Sequence, residues 1–72
     1  MALFEAGRCL LRQFREDKGI TQQELADLAG ISRSQLSAYE RRKYTMNIED
    51  ARSFAEIFNC HIDDLYDWKR ID

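Results

Sequence analysis

At 72 residues the chain can build one small domain with a modest core, and no apolar run approaches the length of a membrane span. A formal net charge of −2, three glycines, no proline and no low-complexity tract or linker describe a folded chain that is not uniformly basic. The beginning of the sequence lacks a basic segment followed by an apolar one, so no secretory signal is expected.

The first predicted element is a helix from about Leu3 to Lys18, with Leu11 and Phe14 directed inward. A second helix starts after Thr21. Glu24 stands three residues on, the spacing of a capping box in which the threonine oxygen accepts from the Glu24 amide and the carboxylate reaches back. Gly30 follows the apolar positions Leu25 and Ala29, where a left-handed residue ends a helix and turns the chain. Ser32 and Gln35 repeat the cap spacing at the start of a third helix.

That third helix divides its residues between two sides. At about 100° per residue, Leu36, Tyr39 and Glu40 fall together, and Arg33, Ser34, Ser37, Ala38 and Arg41 fall opposite. Two short helices joined by a glycine turn, the second polar on its outer face, form the pattern of a helix-turn-helix. Arg33 can give two hydrogen bonds to a guanine edge, Ser34 and Ser37 can bond a base edge or a phosphate, and Ala38 can touch a thymine methyl.

A fourth helix starts after Asn47, with Ile48, Ala51, Phe54, Ala55 and Phe58 on one face as core. A short fifth helix follows a cap position at His61 and turns Ile62 and Leu65 inward. Beyond it the chain reads YDWKRID. Tyr66, Trp68 and Ile71 form an apolar cluster on a charged end, the composition of an interface centre. The alternative is that Trp68 folds back onto the first helix near Phe4 or Leu10. Cys9 and Cys60 lack metal-ligand spacing and read as reduced core or near-core residues of a cytoplasmic protein.

From about Leu10 to Leu65 the sequence resembles the Cro and phage-repressor, or XRE-like, helix-turn-helix family of small transcription regulators. The resemblance is carried in order by LLRQFREDKGITQQELADLAGISRSQLSAYE and IEDARSFAEIFNCHIDDL. It implies an all-α, compact, five-helix domain similar to that of lambda repressor, with the helix-turn-helix at helices 2 and 3, binding operator DNA as a dimer. It also implies a phosphate contact for Gln22 and an ion pair between Arg15 and Glu40; the inward phase of Glu40 agrees. Three positions depart from the family. Arg42 replaces a usual glycine, Met46 a usual proline and Asn59 another usual glycine. Arg42 must bear a positive φ or the loop must take another shape.

Residues 1–45 hold eight Lys/Arg against six Asp/Glu, and residues 46–72 hold three against seven. Arg41, Arg42 and Lys43 thus gather beside the reading helix as phosphate contacts, with the acidic half turned away. The reading is one domain over residues 1–72, with 66–72 as a dimerisation tail. It is a sequence-specific DNA-binding regulator, a repressor acting as a homodimer on an inverted-repeat operator. The alternative is a helical protein-interaction module of the same fold, such as an antagonist or antitoxin; the polar face of the third helix favours DNA. No paired nucleophile and base, metal cluster or phosphate-binding glycine loop is present, so neither an enzyme nor a cofactor is expected, and neither a small-molecule ligand nor a membrane is implicated.

Overall fold

The computed structural model describes residues 3–71. In chain order it contains β1 (Phe4–Cys9), α1 (Leu11–Lys18), α2 (Gln22–Ala29), α3 (Arg33–Glu40), α4 (Ile48–Phe58), a single 3-10 turn (Ile62–Leu65) and β2 (Tyr66–Arg70). The strands pair antiparallel in a two-stranded ribbon. Among the described residues no helix is long and apolar enough to cross a membrane.

The helical half follows local chemistry. Thr21 Oγ1 accepts from the Glu24 amide at 3.1 Å and the Glu24 carboxylate accepts from the Thr21 amide at 2.9 Å, which completes the expected capping box of α2. Gly30, at φ +73°, ends that helix. Ser32 caps α3 at 3.0 Å and Asn47 caps α4 at 2.7 Å, each accepting from an amide three residues on. A core of Leu11, Leu25, Leu36, Tyr39, Phe54 and Leu65 lies between the helices, each less than 2 % exposed. Phe14 stacks on Phe58 at 5.4 Å and closes one end. Cys9 is buried and Cys60 half-buried, both as free thiols. Burial pushes both thiols above their ordinary range, which keeps them in the less nucleophilic protonated form.

The expectation of an all-α, five-helix domain is overturned at both ends of the chain. The first helix begins at Leu11 rather than near Leu3, because residues 4–9 are a strand. The fifth helix is only the turn Ile62–Leu65, and the segment after it is the second strand. Tyr66 and Trp68 alternate along β2 with charged residues, as strand geometry requires, and this places Tyr66 against the core. Ile48, assigned to the core face of α4, is 70 % exposed. It occupies the first position after the Asn47 cap, and burial on this helix begins only at Ala51.

Register in the ribbon runs Phe4↔Arg70, Glu5↔Lys69, Ala6↔Trp68, then slips to Cys9↔Tyr66. The slip places a bulge at Gly7. A Cβ built there would lie 2.2 Å from the Asp67 carbonyl oxygen, so only glycine lets the two backbones approach this closely. Trp68 Nε1 donates to the Asp63 carbonyl at 2.9 Å, and its ring tilts on Tyr66 at 5.7 Å. The tryptophan therefore packs within its own chain, against ribbon and 3-10 turn rather than against a first helix.

Gly7→Ala must open the ribbon or shift its register. The expected cost is about 1–3 kcal/mol, in the range of overpacking. Trp68 is the only tryptophan, so its fluorescence reports the ribbon directly. A red shift with a lower midpoint in a thermal melt is expected; unchanged emission and midpoint would show that the bulge tolerates a side chain.

Candidate nucleic-acid interface

The orientation of α3 is set from below by one carboxylate. Glu40 ends α3, and its side chain is 4 % exposed. Arg15, from α1, donates through Nε to Glu40 Oε2 at 2.9 Å and through Nη2 to Oε1 at 3.2 Å. Gln22, the first residue of α2, donates to Oε1 at 3.0 Å. Arg15 Nη1 also donates to the Ile20 carbonyl at 3.1 Å, in the connection between α1 and α2. The bond to Glu40 raises the Arg15 pKa above its already high ordinary value, so the guanidinium stays charged. Gln22, expected from family resemblance at a phosphate, thus spends one side-chain donor inside the protein, and its second donor remains available.

Above this anchor the outer side of α3 meets solvent. Arg33, Ser34 and Arg41 are exposed and Ser37 is half-buried. The Arg33 guanidinium takes part in none of the described hydrogen bonds or ion pairs. Arg41 turns back so that its Nε donates to the Ser37 carbonyl at 3.4 Å, a long bond that leaves its head at the surface. An open cleft of about 900 Å³ runs between the end of α1 and the side of α3, lined by Arg12, Arg15, Gln22, Arg33, Ser37 and Arg41. Glu40 also lines it, and Arg12 and Arg15 are paired with Glu16 and Glu40, so Arg33 and Arg41, outside every described ion pair, are the guanidiniums this cleft offers to a phosphate backbone.

Ala38 does not belong to this face. It is 4 % exposed, and its carbonyl accepts from the Lys43 amide at 2.9 Å where α3 ends. Buried to this extent, its methyl is not offered to a base in this conformation.

The loop after α3 takes the strained option. Arg42 has φ +60°, the left-handed region that glycine would occupy without penalty. The turn brings Arg41, Arg42 and Lys43 to the exposed border of α3. It also lays Tyr44 against the helix: the ring meets Tyr39 edge-on at 5.7 Å, and the hydroxyl donates to Gln35 Oε1 at 2.8 Å. Gln35 therefore serves the loop instead of returning the Ser32 cap. Tyr39 is fixed in turn by a hydrogen bond to the Asp50 carboxylate, and burial together with this bond holds its hydroxyl above the ordinary range. Tyr44 is the residue that sequence reasoning passed over here. Its signal was an aromatic within a run of polar loop residues, next to a reading helix.

Of the proposed interface cluster, Tyr66 is buried, and its hydroxyl accepts from the Met46 amide at 3.1 Å. It is a core residue and cannot meet a partner. Trp68 and Ile71 stay partly exposed, and Leu3 and Phe4 at the start of the ribbon are exposed as well. Asp72 lies outside the described residues.

A helix-turn-helix held rigid by a buried ion pair, with a polar outer helix flanked by basic side chains, defines a DNA-binding transcription regulator. A family model described as Helix-turn-helix matches residues 11–65. The chain belongs to that family, in its XRE-type branch. It is 39 % identical over 70 residues to the SPbeta prophage-derived HTH-type transcriptional regulator YopS of Bacillus subtilis, covering 96 % of this chain and 95 % of that protein. Among solved structures it is similar to the restriction-modification controller protein C.AhdI of Aeromonas hydrophila, with a TM-score of 0.71 and 29 % identity over 76 % of this chain and 83 % of that one. The N-terminal DNA binding domain of SinR from Bacillus subtilis gives the same TM-score at 28 % identity, over 76 % and 81 % of the two chains.

Removing one member of the Arg15–Glu40 pair leaves a buried charge without its partner. Glu40→Gln is expected to cost about 3–5 kcal/mol in urea unfolding. Arg15→Gln is expected to cost a comparable amount, and the double variant less than the sum. Additive losses in that cycle would mean that the two side chains do not stabilise each other.

Proposed function

We propose that this regulator is a cytoplasmic repressor that binds an inverted-repeat operator as a homodimer and acts by occupancy alone, without catalysis. The observation that carries the reading is the outer side of α3, where an Arg33 guanidinium outside every described ion pair stands beside Ser34 and Ser37. Arg33 reads a guanine edge through two hydrogen bonds, and the serines bond neighbouring bases or a phosphate. Gln22, Arg41, Arg42 and Lys43 hold phosphates on either side, with Tyr44 bordering the same strand. Phosphate contacts position the domain and base contacts specify the address.

Dimerisation follows from information content. One domain reads only a few base pairs, and symmetric pairing doubles the site. Occupancy of a promoter excludes polymerase without further machinery, which supports repression. The interaction-module reading is disfavoured by the same face: it presents cations and hydroxyls, where a protein-binding surface is built on apolar anchors.

Selection from random duplexes with the purified chain tests the proposal. The expected product is an inverted repeat whose half-site centres lie about 34 Å apart, one helical turn. A promoter carrying that site should lose transcription on addition of the protein. Selection of a single asymmetric half-site would remove the homodimer, and rising transcription would remove the repressor.

Residue roles separate in the same assay. Arg33→Ala should cost about 1–3 kcal/mol on the selected site and relax one base position. Arg42→Gln and Lys43→Gln should weaken binding to all sequences alike, each lowering the salt slope by about 1. If Arg33→Ala kept both affinity and base preference, the assignment of the reading face would be wrong.

A further inference from the structure

We infer that the outer edge of β2 pairs with the same edge of a second copy, joining two ribbons into a four-stranded antiparallel sheet centred on Trp68. The inference rests on the homodimer reading and assigns its surface.

The register fixes which backbone groups face outward. The Ile71 amide donates to the Leu3 carbonyl at 2.9 Å, so Leu3 and Ile71 form a hydrogen-bonded pair. Alternation along the ribbon makes Glu5 and Lys69 the next such pair, and Ala6 and Trp68 a non-bonded one. The amide and carbonyl of Trp68 therefore point away from β1, onto the outer edge of β2. No described backbone bond outside the ribbon engages them. The matching edge of β1 is a poorer template. It is broken by the bulge at Gly7, and Ala6 and Gly7 border the loop carrying Lys43 and Tyr44.

The sequence of β2 complements itself. A two-fold axis through Trp68 aligns Trp68 with the partner's Trp68, and Asp67 with the partner's Lys69, twice over. Opposite charges directly across an antiparallel pair are favourable and like charges are not. The axis is perpendicular to the sheet, so both tryptophans emerge on one face, beside Phe4 of each chain. Trp68 is 43 % exposed and Phe4 46 % exposed before pairing. A ribbon of two strands alone is marginally stable, and its open edge invites a further strand.

Charge exchange at two exposed positions provides the test. Asp67→Lys sets two lysines opposite two lysines across the axis, and Lys69→Asp sets two aspartates opposite two aspartates. Each variant alone should raise the dimer dissociation constant about tenfold in sedimentation. Circular dichroism should show each folded, because both side chains are exposed and the Glu5–Lys69 ion pair of 3.8 Å lies at the surface. Mixing the two variants restores opposite charges at both positions, so a heterodimer of wild-type affinity is expected. Single variants that dimerise as the wild type does, or a mixture that stays weak, would overturn the β2 edge while leaving a homodimer through another surface. A wild-type chain that remains monomeric, free and on its selected site, would remove the homodimer reading itself.

Discussion

The reading helix owes its position to a single buried carboxylate. Glu40 collects donors from α1 and α2, so three elements meet at one side chain. Apolar contacts alone are tolerant of small rotations, because dispersion is not directional. A bidentate guanidinium is directional, and it fixes the end of α3 relative to the start of α2. The same group draws Gln22 inward at the place where a DNA strand would approach.

A second set of bonds fixes the far border of α3. Asp50 and Asn47 hold Tyr39, Tyr39 supports the ring of Tyr44, and Tyr44 holds Gln35. The left-handed Arg42 is the cost of the turn that lays Tyr44 against α3. In return, a cation stands where glycine would leave bare backbone. The exposed side of α3 is narrower than the helical phase implies, because Ala38 is buried.

The helix-turn-helix was legible because its signals are local. Thr21 and Glu24, Gly30, Ser32 and Asn47 each act within four residues, and each stands in the structure where the spacing places it. The inward phase of Glu40 was legible in the same way. The ribbon was not, because its partners come from opposite ends of the sequence and neither strand is long. Period-two alternation is present in Tyr66 and Trp68, and more weakly in Phe4 and Ala6, but such short runs lose to the expectation of a flanking helix. Ala38 and Ile48 show the complementary limit. Phase tells which side of a helix a residue takes, and only packing tells how much of that side is covered: Ala38 is 4 % and Ile48 70 % exposed.

The ribbon ties the two ends of the described chain together, with Leu3 bonded to Ile71. Neither end can then be edited independently of the other. Trimming the residues before Cys9 would strip Tyr66–Ile71 of its neighbour and bare the inner edge of β2, creating a second sticky margin on the same strand. A bulky fusion at either end would emerge beside the same few residues. For the same reason a short peptide could join these ends into a closed circle, and new ends could be cut in a surface loop elsewhere. The order of elements along this chain is one of several that the same three-dimensional arrangement permits.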